Sequence, residues 1–376
     1  MKTTQKVIVC QGDETGEELL QQALRVLDAG VLGTDLELVP FDLSLDNRRR
    51  TGNAVVHEAA RAMRETGLGL KAATITPETT GDVGSPNRIL REGLGGSVIV
   101  RTGRRIPGVA PLAPVVYPIV VVRMAVGDAY GADEGRSGEE GSADEQAWRT
   151  ERIERSVCRS VAEYAFRTAG ELGAVFYGGP KWTVSTVYEG MLKEEMDAVA
   201  ARHGQVPYRP TLIDAAYAGL LTEAGQHSLV IPSLNRDGDC LSDLVLALFG
   251  SIAGAESVLL ALNDDLSTAA AMAEAPHGTA PSLAGKNVAN PMAMLLACAA
   301  VLDHAAELRV PYLLLLSPED PIIDARASEE FDQAAQVGQV VRRYAGRWHE
   351  PFQDFGREEV LADLVAWLES GVTVAE

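Results

Sequence analysis

What most constrains this chain is a repeated alternation of short apolar runs with amphipathic stretches. Val7–Cys10 forms a short apolar strand, and GDETGEELLQQALRVL after it reads as a turn and then a helix, with Thr15 and Glu18 at capping-box spacing. The alternation continues with a strand at Leu36–Pro40, a helix around His57–Arg64, and a β-branched strand within 110–123 that runs to about Arg123. A charged helix is expected from about 151 to 172, and short strands at AVFYG and SLVIP (228–232). NRDGD reads as a turn, CLSDLVLALFG as a helix start, and 284–308 as an Ala-rich helix. YLLLL at 312–316 is very apolar, and 357–370 has the pattern of a final amphipathic helix. Residues 127–150, rich in Gly, Glu, Asp and Ser, read as an exposed loop or arm. Such alternation predicts an α/β protein with a largely covered sheet.

Composition narrows the functional classes. A length of 376 residues suits two domains or one large α/β unit. A net charge of −20 argues against a nucleic-acid partner, because nothing offsets repulsion from phosphates. Cys10, Cys158, Cys240 and Cys298 lie far apart without CxxC spacing, so neither a zinc site nor a disulfide framework is expected. The first apolar run is too short for a signal segment, and no run approaches the roughly 18 residues of a membrane helix. A soluble, cytoplasmic protein with no membrane contact is the expectation.

Several short segments carry chemistry. GDETGEE follows a strand, so it is either a phosphate-cradling loop or a capped helix start; the dinucleotide pattern GxGxxG is absent. In SPNRILREGLGGSVIVR, Ser85, Arg88 and Arg91 are spaced three apart and share a helix face. Clustered arginine forks suit a di- or tricarboxylate, although scattered surface arginines have the same spacing. In NRDGDCLSD, Asp239 and Asp243 stand at i and i+4. A helix start explains the first carboxylate well and the second poorly, a divalent cation between them, Mg²⁺ or Mn²⁺, would account for both, and the spacing alone leaves the two readings level. HGTAPSLAGKNVANP (277–291) is a Gly-, Pro- and Asn-dense loop that would let backbone approach a flat ligand, or simply connect elements.

Taken in order, these segments resemble the β-decarboxylating dehydrogenases, the isocitrate/isopropylmalate dehydrogenase family. NRDGDCLSD is similar to that family's N-x-x-GD-x-x-SD, and EAPHGTAPSLAGKNVANP to its EP-x-HG-x-AP-x-x-AGK-x-x-ANP. The likeness runs from about residue 6 to about 308, with a fainter echo in QDFGREEV. It implies a two-domain fold with a large mixed sheet that is not a classical Rossmann fold. Residues 1–101 with 251–376 would form the cofactor-binding large domain, and 102–250 the small domain, with an arm at about 127–180 clasping a second copy.

The resemblance also assigns roles. Arg91, Arg101 and Arg123 match the arginines that grip substrate carboxylates, and Ser85, Asn87 and Arg88 the positions that meet the distal group. Tyr130 matches the tyrosine that protonates the enol, and Lys181 the lysine that moves the hydroxyl proton. Asp214, Asp239 and Asp243 match the metal carboxylates, with Lys181 and Asp214 supplied by the neighbouring subunit of a homodimer. Lys71 and Thr76 resemble the loop by the nicotinamide. His277, Gly278, Ala280, Ser282, Leu283 and Asn290 fall on the adenosine loop. The implied substrate is a small polyanionic 2-hydroxy acid. Arg88 points to an anionic distal group, isocitrate-like or a phosphonate; an isopropylmalate- or tartrate-type dehydrogenase and a silent regulatory paralogue are the alternatives.

The chain departs from the family pattern at Glu14 and Glu17, within GDETGEE where GDGIGPE is usual, and at Thr183, where Asn is usual. Ser282–Leu283 matches neither the NAD-type nor the NADP-type loop. NAD is favoured because no cation there meets a 2′-phosphate, and NADP stays open.

Overall fold

The computed structural model describes residues 5–28, 36–79, 81–106 and 108–305, and the short strands 313–316 and 340–343. Ten strands of the first unit form one mixed sheet: β1 (Gln5–Gln11), β2 (Leu36–Asp42), β3 (Leu68–Lys71), β4 (Val98–Gly103), β5 (Ile119–Met124), β8 (Val175–Gly178), β9 (Tyr208–Pro210), β10 (Leu229–Ser233), β11 (Ser257–Leu262) and β12 (Thr268–Glu274). Their order is β2-β1-β3-β12-β11-β4-β5-β10-β8-β9. The outer blocks, β2-β1-β3-β12 and β5-β10-β8-β9, are parallel. Between them β12, β11, β4 and β5 pair antiparallel.

Register in this antiparallel centre lines up polar residues. Lys71 stands opposite Glu274, Glu274 opposite Ser257, and Ser257 opposite Arg101. Directly opposed residues share a face, so these side chains form one row across the middle of the sheet.

Helices cover both blocks. Over the first, α2 (Leu45–Thr51), α3 (Ala54–Thr66) and α4 (Pro86–Leu94) pack on one side, where Val56, Ala59, Met63 and Leu90 meet Ile8, Ile99 and Met272. Helices α1 (Glu14–Leu24) and α9 (Met292–His304) bury Leu19, Leu20, Ala297 and Val301. In the second block α5 (Arg155–Glu171) and α6 (Tyr188–Ala200) cover one face through Phe166, Phe176 and Met196. Helices α7 (Ile213–Ala224) and α8 (Asn235–Leu248) bury Leu220, Leu241 and Val245 over Val121 and Ile231. Burying whole Leu, Val and Phe side chains is worth about 1.5–3 kcal/mol each, so both blocks are held chiefly by such contacts.

Several boundaries differ from expectation. The first helix starts at Glu14, so Thr15 is inside it and makes no capping box; Glu17 accepts from the Gly12 N–H at 2.8 Å instead. NRDGD is not a turn but the first turns of α8, because tertiary contacts to Asn235 and Gly238 override its turn-rich composition. The apolar helix occupies only 292–304; the Gly/Pro-dense residues before it hold a short 3₁₀ turn, Pro281–Leu283. The arm at 127–150 includes a hairpin, β6 (Asp133–Ser137) and β7 (Gln146–Thr150). In a second unit, β13 (Leu313–Leu316) and β14 (Val340–Arg343) pair in parallel. The expected helix at 357–370 and QDFGREEV lie outside the described residues.

Candidate active site

A cleft of about 710 Å³ opens where the central row of the sheet meets α4, α8 and the turn after β5. Arg101 and Arg123 reach it from β4 and β5, and Arg91 from α4. Arg123 is wholly buried, and its guanidinium donates to the Asn235 side-chain oxygen through Nε (2.9 Å) and Nη2 (2.8 Å), and to Asp239 through Nη1. Asn235 in turn donates to the carbonyls of Ala125 and Gly127. This network fixes the arginine before any ligand arrives. Gly238 allows it: a Cβ there would lie 2.7 Å from the Arg123 side chain.

Asp239 is the hub of the charge arrangement. It accepts from Arg123 and, at 2.5 Å, from the Tyr130 hydroxyl, while Arg101 Nη1 lies 3.8 Å away. Burial alone would raise its pKa, but Arg123, the Tyr130 bond, Arg101 and Arg91 outweigh that and hold the carboxyl below its ordinary range. Burial, then the bond to Asp239 and its charge, push Tyr130 up to about 12, which keeps the phenol protonated. Arg123 is lowered to about 10 by burial first and by the Arg91 charge second. Such a crowd of guanidinium groups around a cleft is a place for a polyanion.

Lys71 and Glu274 form the cleft's floor on the other side, paired at 2.8 Å and nearly buried. Despite burial, the Lys71 charge and hydrogen bond, followed by Arg91 and Arg101, hold Glu274 below its ordinary range.

Of the residues singled out from sequence, the cleft gathers Lys71, Thr76, Ser85, Asn87, Arg88, Arg91, Arg101, Arg123, Tyr130, Asp239, His277 and Gly278. Ser85 is the N-cap of α4, its Oγ accepting from the Asn87 N–H at 3.3 Å. Arg88 sits at the rim, exposed, and pairs with Glu92 one turn on at 2.8 Å. Asp243 lies just outside, one turn beyond Asp239, bonded to Arg101 at 2.9 Å. Ala280 has φ 43° and its carbonyl accepts from Thr15, while Ser282 and Leu283 stand on an exposed turn and Asn290 bonds the Met292 N–H at 2.9 Å. These loop residues do not line the cleft.

Lys181 and Asp214 meet each other at 2.5 Å, and neither lines the cleft of their own chain. The Lys181 hydrogen bond holds Asp214 below its ordinary range. Thr183, the departure beside them, is exposed. Glu14, another departure, occupies the left-handed region at φ 51°, a conformation a non-glycine residue adopts only at a cost.

Among the described residues no cluster of three or more His, Cys, Asp or Glu is arranged to hold a metal ion. The pair Asp239 and Asp243 nevertheless suits one. Their Oδ1 atoms lie 3.8 Å and 2.9 Å from one positive atom, Arg101 Nη1, so both carboxylates already converge on a cationic position. Oxygen-only donors of this kind fit Mg²⁺ or Mn²⁺.

Sequence reasoning did not assign Asn235 or Glu274 a role, although both lie inside quoted motifs. The signal for Asn235 was its place four residues before Asp239, on the helix face that meets Arg123.

A mixed-sheet α/β scaffold with a cationic cleft beside paired aspartates defines a class, the α/β proteins that bind a small polyanion. Residues 6–310 match the sequence profile described as isocitrate/isopropylmalate dehydrogenase, and the chain belongs to that family. It is 30% identical to 3-isopropylmalate dehydrogenase of Methanothermobacter thermautotrophicus, over 80% of this chain and 85% of the relative. It is 32% identical to the NADP isocitrate dehydrogenase of Sphingobium yanoikuyae, over 74% of this chain and 75% of that protein. The crystal structure of isocitrate dehydrogenase from Methylococcus capsulatus superposes with a TM-score of 0.70 at 23% identity, covering 80% of this chain and 86% of the other, a likeness of fold. These findings bear out the expected family, its decarboxylating-dehydrogenase class and its mixed-sheet fold.

Proposed function

We propose that this chain oxidises and decarboxylates a 2-hydroxy-3-carboxy acid with an anionic distal group, using NAD and Mg²⁺ or Mn²⁺. The observation that carries the reading is the convergence of Arg91, Arg101 and Arg123 on one cleft that also presents Asp239 and Tyr130. Paired guanidinium forks hold both carboxylates of such a substrate and set the C–H bond toward the nicotinamide side, near Lys71 and Thr76. Asp239 and Asp243, with Asp214 of a second copy, would hold the ion, which when bound lowers the pKa of the substrate hydroxyl and polarises the ketone. Lys181 of the second copy, paired with its own Asp214, would relay the hydroxyl proton, its ammonium passing one proton toward that carboxylate as the nitrogen accepts the one from the substrate hydroxyl, while the hydride goes to the cofactor. After carbon dioxide departs, Tyr130, still protonated, delivers a proton to carbon.

The second copy is favoured by the absence of Lys181 and Asp214 from their own chain's cleft and by uncovered apolar side chains in the same lobe. Val184 and Val187 are 76% and 83% exposed, and Leu221 and Leu244 are also uncovered. The hairpin β6–β7, with Trp148 half exposed, would clasp the partner. In this reading the two parallel blocks of the sheet belong to the two lobes, residues 1–101 with 251–376 and residues 102–250.

NAD is preferred over NADP. Beside the 277–291 loop a second hollow of about 670 Å³ is lined by Glu14, Glu17, Glu18, Gly285 and Asn287, among others. Glu18 accepts from the Gly285 N–H at 2.5 Å. A 2′-phosphate entering there would meet carboxylates rather than cations.

For the distal group, Arg88 is available at low cost. Its exposed i,i+4 pair with Glu92 is worth about 0.3–0.5 kcal/mol, less than a charge-assisted bond to a substrate anion. The Asn87 side-chain oxygen is buried in the cleft wall without a partner. Glu92 itself supports a second reading, a distal group that is not anionic, as in an isopropylmalate- or tartrate-type reaction. A silent paralogue is disfavoured by the presence of Arg91, Arg101, Arg123, Tyr130, Lys181, Asp214, Asp239 and Asp243 together. The test is a panel of 2-hydroxy acids with NAD⁺ or NADP⁺ and Mn²⁺, read by absorbance of the reduced cofactor alongside carbon dioxide release. Faster turnover of 3-isopropylmalate than of every distally anionic acid would overturn the anionic assignment.

A further inference from the structure

We infer that Arg48 is a positioning residue that sets the shape of the cleft by holding both ends of the loop between β3 and α4. The inference rests on the cleft being the substrate site. Arg48 is fully buried in α2 and does not line the cleft. Its Nε donates to the Leu43 carbonyl at 2.9 Å, Nη1 to the Gly84 carbonyl at 3.0 Å, and Nη2 to the Ile75 carbonyl. The anion beside it is Asp13, 4.0 Å away, and Asp13 itself accepts from the Ile75 N–H at 2.8 Å and the Leu45 N–H at 2.9 Å. One guanidinium therefore grips the loop immediately before Thr76 and again immediately before Ser85. Thr76 and Ser85 both line the cleft, on the sides that the proposed function gives to the cofactor and to the distal group.

Neighbouring side chains extend the grip. Asn53 donates to the Val83 carbonyl at 2.7 Å, and Arg49 binds Asp82 at 2.6 Å. A buried charge aimed at backbone carbonyls is expensive unless every donor is used, so its retention here calls for a reason beyond packing. A planar five-donor fork is suited to it, because it ties three separated carbonyls into one fixed geometry. A lysine there would keep the charge but present its donors from a single nitrogen.

The experiment compares wild type with Arg48→Lys and Arg48→Ala. For Arg48→Lys we expect kcat/KM to fall on the order of 10²-fold, mostly through KM, as a loop displaced by about 1 Å would produce. Hydrogen exchange should quicken at the Ile75 amide and across 82–85 while β5 and β10 stay protected. Added guanidinium ion should restore KM in Arg48→Ala and leave wild type unchanged. Phe166→Leu, a core change in the other block, should lower stability without raising KM. If the Arg48 variants do not fold, Asn53→Gly, which keeps the left-handed backbone at φ 65°, carries the test, with KM expected to rise roughly threefold and exchange at Val83 to quicken; the loss of the one hydrogen bond to the Val83 carbonyl is tolerable to the fold. Unchanged KM, unchanged exchange at 75 and 82–85, or losses that merely track melting temperature would overturn the inference. A wild-type chain inactive on the whole acid panel would defeat the proposed function instead, and loop exchange would still decide on Arg48.

Discussion

The arginine cleft and the Lys181–Asp214 pair are both built from charged side chains in close contact, yet they are built differently. Around Asp239 each charge is braced by neighbours from other strands and helices, and Arg123 is buried on Asn235. Lys181 and Asp214 have chiefly each other, and Asp214 is 63% exposed. The first region is finished within one chain. The second is a pair with one largely exposed partner, of the kind that contributes little stability in isolation, and in the proposed function it gains its role from a second copy.

The most severe way to test this contrast is to remove its hub. Asp239→Asn should lower kcat/KM by at least about 10³-fold, since one carboxylate serves Arg123, Tyr130 and the proposed ion together. Excess chelator applied to wild type should abolish turnover; full activity in chelator would sink the metal assignment. Next in size is Lys181→Met, expected to slow oxidation by about 10²–10⁴-fold as loss of a proton-moving group does. Mixing Lys181→Met chains with Arg123→Leu chains sharpens the comparison further. If sites are shared, the mixed dimer holds one intact site and recovers up to about half the activity of a wild-type dimer of the same concentration. No recovery, with mixed dimers demonstrated by mass spectrometry, would place both regions in one chain's site.

A smaller effect concerns the floor of the cleft. Glu274→Gln strands the buried Lys71 and should cost about 3–5 kcal/mol at pH 7, measured by urea unfolding. Because the folded pKa of Glu274 lies below its unfolded value, its contribution is fully present above the ordinary carboxylate range and is lost as pH falls through the folded value. The gap between wild type and variant should therefore be full at neutral pH and close under acid conditions; a gap that widens in acid contradicts the assignment. Smallest is Arg88→Leu. Stability should move by less than about 0.5 kcal/mol, whereas the preference for distally anionic acids over 3-isopropylmalate should shrink about tenfold or invert. Metal dependence should be untouched.

Much of this was legible in the sequence because periodicity and spacing are local properties. The strand at Val7–Cys10, the i,i+4 aspartates and the arginines three and ten residues apart could all be read from one stretch of chain. NRDGD was misread as a turn since Gly238 and its acidic neighbours favour turns in isolation; the glycine is in the helix because Arg123 fills the space where its Cβ would be. The same limit applies to Glu274, whose partner is 203 residues away and meets it only through strand register. Arg48 was invisible for a similar reason: in LDNRRRT nothing distinguishes it from Arg49 and Arg50, and only the fold buries it. Asp214 and Lys181 were found by motif, but their separation from their own chain's cleft is a property of three dimensions.

The row Lys71–Glu274–Ser257–Arg101 also limits how the gene can change length. Strands β11 and β12 are joined by a tight connection, with a register irregularity at Ala261/Leu262. Since successive side chains alternate faces, inserting or deleting one residue within β12 ahead of Glu274 would rotate that carboxylate to the opposite face, among the apolar side chains of α9, and leave Lys71 alone. Residues in the loop after Leu262 can come and go more freely. Natural variants of this chain should accordingly carry insertions at 263–267 and in the 138–145 hairpin tip, and almost never inside 257–262 or 268–274.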